Sequence, residues 1–151
     1  MTATSWYGVK LGASLSRVAR THGWSTGSCL GGSVPDFINV PRRYGVAIAR
    51  GARPGRVGFI EAWTRKVRGP HRVKSGIPVS RIADFLAKGT KHHATEGIDS
   101  GTEWNYWVIP MKGHFVFVRS YGSDPERVSS FGLAISRAVA NDRGRTQGGC
   151  Y

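Results

Sequence analysis

The apolar positions change period several times along the chain, and those changes predict its elements. Leu11, Leu15, Val18 and Ala19 fall on one face of a 3.6-residue period, predicting a helix over Leu11–His22 that Gly23 stops. Residues 23–43 carry Gly23, Gly27, Gly31, Gly32, Pro35 and Pro41 and read as loop. Tyr44–Ala49 and Val57–Val67 read as strands around the turn Ala52-Arg53-Pro54-Gly55, with Val57, Phe59 and Trp63 on the buried side of the second. Gly69-Pro70-His71 breaks the chain again. Ile82, Phe85 and Leu86 then predict a helix over Pro78–Lys88, closed by Gly89.

Residues 89–102 are rich in His, Gly, Thr and Ser and read as a polar loop. Alternation is clearest in Trp104–Ile109 and His114–Tyr121. The first sets Trp104, Tyr106 and Val108 against Asn105, Trp107 and Ile109, and the second sets Phe115 and Phe117 against Val116 and Val118. Asp124-Pro125-Glu126 has the order of a helix start: a cap, proline at the first position, an acid in the first turn. That helix is expected to run to Ala140 on Val128, Phe131, Leu133, Ile135 and Val139, leaving Asn141–Tyr151 as a loose tail. The expected fold class is α+β in a single domain, residues 1–151. Its antiparallel sheet has about four strands, in two hairpins, packed with about three helices.

Charge changes the picture most. The chain has 22 Lys and Arg against 9 Asp and Glu, a formal net charge of +13. Eleven of the cations lie between positions 42 and 81: Arg42, Arg43, Arg50, Arg53, Arg56, Arg65, Lys66, Arg68, Arg72, Lys74 and Arg81. Glu61 alone opposes them there. So one-sided a field attracts phosphate or a carboxylate-rich partner. The first ten of these cations are the candidate residues for binding nucleic acid or an acidic partner, with Tyr44, Phe59 and Trp63 interleaved. The competing reading is a solvated edge, because arginines also keep exposed strands from pairing.

A hydrophobic content of 40% excludes a fully disordered chain. No run approaches the roughly 18 apolar residues of a membrane span, so no membrane partner is expected. The first residues lack the basic-then-apolar order of a signal peptide, which predicts synthesis in the cytoplasm. Cys29 and Cys150 are too few for a disulfide scaffold, and whether they are bridged stays open.

Three constellations bear on chemistry. Gly27-Ser28-Cys29-Leu30-Gly31, with His114 and Asp124 downstream, has the Cys, His, Asp order of papain-like peptidases and peptidoglycan amidases. The pattern of residues 14–26 predicts no strand before Cys29 to form a nucleophile elbow. His92-His93 with Glu96, near Asp99, is a pair of the kind that binds metal or does acid–base work on phosphodiesters, as in a ribonuclease-type toxin, with His114 as a further candidate. Adjacent histidines on an extended segment point to opposite sides, however. Ala19, Gly23 and Ser25 sit where helix-turn-helix readers place such residues, but the following nine residues form a poor helix. P-loop, G-x-G-x-x-G, H-E-x-x-H and EF-hand patterns do not occur. No catalytic residue, metal or cofactor is therefore assigned, and a binding role is favoured over an enzyme.

Val79-Ser80-Arg81-Ile82-Ala83-Asp84-Phe85-Leu86-Ala87-Lys88-Gly89-Thr90 resembles the "V-x-x-I-A-x-F-x-x-x-G-T" segment of tail-completion and head–tail connector proteins of tailed bacteriophages. Thr26-Gly27 with Leu30 and Ser33-Val34 echoes that family's "TG-x-L-x-x-S-I" with one extra residue. The resemblance implies a non-enzymatic virion component made in the host cytoplasm. It would form a homo-oligomeric ring at the head–tail joint or tail end, with other virion proteins and DNA as partners of its basic face. The alternatives are a small basic nucleic-acid-binding protein or ribonuclease-type toxin, and a Cys–His hydrolase.

Overall fold

The computed structural model describes residues 5–29, 31–96, 102–122 and 125–145. Their centre is an eight-stranded, wholly antiparallel sheet. Beside it lies a two-stranded ribbon of β1 (Ser5–Trp6) and β2 (Val9–Lys10). Helix α1 (Leu15–His22) follows, and then β3 (Ser25–Gly27), β4 (Phe37–Asn39), β5 (Val46–Arg50) and β6 (Val57–Ala62). After α2 (Ala83–Leu86) come β7 (Thr90–Glu96), β8 (Thr102–Met111), β9 (His114–Tyr121), β10 (Arg127–Ala134) and α3 (Arg137–Arg145). The order across the sheet is β3-β4-β5-β6-β10-β9-β8-β7.

The expected sheet of four strands in two hairpins is therefore corrected to eight strands. Both expected hairpins exist, as β5–β6 and β8–β9. Four strands join them. β3 and β4 are three residues each and lie within glycine- and proline-rich sequence. β7 is the polar segment read as loop. It holds a sheet edge because His92 stacks on Tyr106 at 4.8 Å and the Lys91 ammonium lies 5.2 Å from the Trp107 ring. β10 replaces the expected helix from Pro125 to Ala140. Its Phe131 and Leu133 alternate onto one face while Gly132 and Ala134 take the other, and Ser129-Ser130 and Phe131-Gly132 are weak helix formers. The proposed cap, Asp124, lies outside the described residues.

The helices follow their caps. Ser14 accepts from the Arg17 N–H at 3.4 Å, and Gly23 closes α1 with φ +67°. α1 thus starts at Leu15 rather than Leu11. A short 3-10 turn, Val79–Ile82, leads into α2, so the expected helix at 78–88 is present in shorter form. Ser136 accepts from the Val139 N–H at 3.3 Å and starts α3, which extends through residues 141–145, within the expected tail.

Both sheet faces are sealed. One buries Val46, Ile48, Ile60, Trp107, Ile109, Val116 and Val118 under α1, the β1–β2 ribbon and the 65–86 segment. The other buries Phe59, Trp104, Tyr106, Val108 and Phe117 under Val139 and Ala140 of α3. In the middle of this second face sits Glu61, flanked by the small residues Ala47 and Gly132 of the neighbouring strands. A Cβ at Gly132 would lie 2.4 Å from the Phe117 ring and from the Ile60 carbonyl oxygen, so only glycine fits.

Glu61 is 2% exposed and pairs with two buried guanidiniums, Arg119 of β9 and Arg143 of α3, the latter at 3.3 Å. Arg119 also donates to Ser130 at 2.9 Å, and Arg143 lies 4.5 Å from the Phe59 ring. Burial, and then the facing charge of Arg143, lowers the Arg119 pKa to about 10, so it remains a cation at neutral pH. Trp104 adds a hydrogen bond to the Gly144 carbonyl at 2.8 Å, which pins the last turn of α3 to the sheet.

Removing the shared carboxylate strands two buried cations, whereas removing Arg143 leaves a neutral pair. Glu61→Ala is expected to lower stability by about 3–5 kcal/mol and Arg143→Leu by clearly less, read from urea midpoints at constant slope. Equal costs would mean that the two guanidiniums do not depend on the carboxylate.

Candidate nucleic-acid interface

The register of the sheet divides the basic segment between its two ends. β5 begins and β6 finishes at one end, where Val46 pairs with Ala62. The turn Arg42–Tyr44 and the residues after Trp63 therefore meet there, and the Trp63 N–H donates to the Gly45 carbonyl at 3.1 Å. The opposite end holds the β5–β6 turn with Arg50, Arg53 and Arg56.

Beyond Ala62 the chain stays at the first end. β10 continues past the end of β6, and residues 76–79 run beside it in the vacated row. Gly76 N–H donates to Val128 O at 2.7 Å, Val128 N–H to Ile77 O at 3.0 Å and Val79 N–H to Glu126 O at 2.8 Å. Between these points Val67 and Val73 are buried pegs. Gly69 lies flat on Phe131, whose ring a Cβ would meet at 2.6 Å. With the apolar pegs inside, Arg65, Lys66, Arg68, Arg72 and Arg81 are exposed and Lys74 is half-buried.

These cations line two adjoining clefts. One, of about 390 Å³, is formed by Arg68, His71, Arg72, Lys74, Arg81 and the apolar Ile77 and Ile82. The next, of about 310 Å³, includes Arg65, Lys74, Arg81 and Arg127. Among the described residues, neither has an acid in its wall. The Arg127 side chain is held by the Gly76 carbonyl at 2.8 Å. His71 and Arg72 have left-handed backbones, φ +51° and +64°, and the His71 ring stacks on Phe85 at 4.4 Å. Two successive non-glycine residues in that region cost about 1–2 kcal/mol each and are held by the buried neighbours on either side. Of the acids at this end, Glu103 faces His93 at 3.6 Å, Glu126 accepts from Asn105 at 2.6 Å and from Ser120, and Asp84 of α2 is exposed, three residues beyond Arg81.

Of the ten candidate binding residues, seven (Arg42, Arg43, Arg65, Lys66, Arg68, Arg72 and Lys74) thus belong to one end. Arg50, Arg53 and Arg56 do not. Arg50 is paired with Asp36, whose carboxyl is held below its ordinary range by the Cys29 N–H at 2.9 Å, by Ser28 and by Arg50 itself, against the opposing effect of burial. The interleaved aromatics separate too. Phe59 is buried under α3, while Trp63, expected inside, is 47% exposed. Arg81 and Arg127 complete the clefts. Arg127 was not legible as a member, because only the register brings the start of β10 to residues 76–78.

The catalytic constellations are not assembled. His92 and His93 take opposite faces of β7, one on Tyr106 and the other beside Asn105 at 3.4 Å. His114 is buried at the far end of β9, with its Nδ1 3.1 Å from the Lys112 carbonyl oxygen. At ~3.3 Å per residue it lies roughly 17–20 Å along the strands from the histidine pair. Glu96 ends β7, and Asp99 and Asp124 lie outside the described residues. Cys29 is disulfide-bonded; the chain's other cysteine, Cys150, is outside the described residues. The chain after Gly23 enters β3 rather than a second helix, which removes the helix-turn-helix reading. Among the described residues, no three of His, Cys, Asp and Glu are placed to hold a metal ion, and no helix is long and apolar enough to cross a membrane.

Comparison with protein-family models, curated proteins and solved structures finds no match for this chain.

A disulfide-bonded cysteine has no thiolate to offer. Iodoacetamide added to the unreduced protein near neutral pH should leave Cys29 unmodified by peptide mass, whereas rapid alkylation would restore the hydrolase reading.

Proposed function

We propose that this protein works by binding, holding the phosphate backbone of a nucleic acid on the arginine-rich end of its sheet. One observation carries the reading: the sole acid among residues 42–81 is buried beneath α3, and the clefts facing solvent are walled by Arg65, Arg68, Arg72, Lys74, Arg81 and Arg127, with no carboxylate in the wall among the described residues. Guanidiniums match phosphate oxygens in charge and in hydrogen-bond geometry. Spread over two adjoining clefts, they fit a chain of phosphates better than a single small anion.

The resemblance of Val79–Thr90 to phage tail-completion and connector proteins supplies a setting for such a surface. In that setting the protein is a non-enzymatic virion component that assembles as a ring and meets DNA or neighbouring virion proteins through this end. This part of the proposal rests on the resemblance. Its test is the solution mass of nuclease-treated protein at about 0.15 M salt: a discrete ring-sized species supports it, and a strict monomer at all concentrations counts against it.

Backbone binding is expected to weaken steeply with salt. For a duplex, the triple variant Arg68→Gln, Arg72→Gln, Arg81→Gln should flatten the slope of log affinity against log salt by about 2–3, close to 0.9 per lost phosphate contact. Neutralising Arg53 and Arg56 should change it by less. An unchanged slope in the triple variant would contradict the assignment of this surface.

A further inference from the structure

A second feature stands beside the clefts and is built differently. The β1–β2 turn folds back over the end of α1 and brings together Trp6, Tyr7, His22, Trp24 and Tyr44, residues from three separate stretches of chain. His22 and Trp24 stack at 4.5 Å and 18°, Trp6 and Trp24 at 6.4 Å and 20°, and Tyr7 and Trp24 at 6.5 Å and 20°. Trp6 is buried and anchors the pile, while Tyr7 at its outer side is 60% exposed. Tyr7 also has a left-handed backbone, φ +51°, next to Gly8 at φ +78°. Tyr7 is tilted against its other ring neighbours, by 36° to Trp6, 34° to His22 and 42° to Tyr44, and an exposed ring on a strained turn is not what core packing requires.

The surroundings are cationic. Arg42 and Arg43 are exposed, and the Arg43 guanidinium lies 5.1 Å from the Tyr44 ring. On the other side a groove of about 530 Å³ starts at Gly8 and His22 and runs along α1 past Lys10 and Arg17 to Arg56. Among the described residues, its wall holds no acid. The eight residues of α1 give it a length of roughly 12 Å.

We propose that the Tyr7–His22–Trp24 pile and the Lys10–Arg17–Arg56 groove form a binding site for a single-stranded nucleic-acid segment, with an unpaired base stacked on the rings and its phosphates along the cations. For its ligand class this rests on the reading of the arginine-rich end. It adds that the strand must offer unstacked bases. Ring faces accept any base, so the site selects single strands over duplex and not one sequence over another. In this arrangement Arg56 gains a role at the far end of the groove, separate from the Arg65–Arg127 clefts.

Fluorescence anisotropy with a labelled oligothymidine strand and a duplex of equal length tests this at fixed salt. Tyr7→Gly removes the ring and suits the left-handed turn, and Lys10→Gln with Arg17→Gln weakens the groove without touching the pile. Each is expected to lower single-strand affinity, by about ten-fold for Tyr7→Gly, while duplex affinity stays within two-fold. Equal losses on both ligands, or none, would overturn the stacking site. Loss of duplex binding in the Arg68, Arg72, Arg81 variant alongside an unaffected Tyr7→Gly would overturn the stacking site alone. Failure of the unmodified protein to bind either ligand would overturn both readings.

Discussion

The buried carboxylate of Glu61 is the constraint on which the remaining structure turns. It sits where β5, β6 and β10 lie side by side and joins β6 to Arg119 of β9 and Arg143 of α3. A charge so placed is tolerable only when its partners are buried with it. The pairing therefore fixes α3 on one face of the sheet and the β6–β10–β9 order within it. It also removes the one acid of the 42–81 segment from the surface. The same interaction that closes the core leaves the exterior of that segment to its cations.

From there the surface follows by simple alternation of inside and outside. Val67, Val73, Ile82, Phe85 and Leu86 are drawn into the core on the face opposite α3. Between them Arg68, Arg72 and Arg81 are exposed and Lys74 is half-buried, so the outward side of the segment carries its cations. β10, extending past β6, supplies the backbone partners that hold residues 76–79 straight and adds Arg127 to the row. The aromatic pile lies at the same end because β1–β2, the end of α1 and the Arg42–Tyr44 turn all finish there.

How much of this was legible depended on whether local signals agreed with the fold. α1 was readable because Ser14 and Gly23 cap it in the ordinary way, and β8 and β9 because each alternates cleanly between two apolar faces. β10 was misread because Asp124-Pro125-Glu126 imitates a helix start. The stronger evidence was Gly132 between Phe131 and Leu133, the pattern of a strand that a neighbouring ring must approach closely. β7 was missed because a polar edge strand owes its place to Tyr106, Trp104 and Trp107 on its neighbour rather than to its own apolar residues. The cationic segment itself was plain in the sequence. Its division between two ends was not, since strand register decides it. Nor was the convergence of Tyr7, His22 and Trp24, since a ribbon must fold back to bring them together.

The most direct measurement of the account is a map of amide chemical shifts in the protein as a short oligonucleotide is added. The account predicts that the shifted residues cluster at 42–45, 63–81 and 127, with Tyr7, Trp24 and the groove residues Lys10, Arg17 and Arg56 joining them only for a single strand, while β7 and the outer face of α3 stay unchanged. Shifts centred instead on the β5–β6 turn at Arg50, Arg53 and Arg56, or spread evenly over the surface, would contradict the claim that the arginine-rich end is a phosphate-binding site.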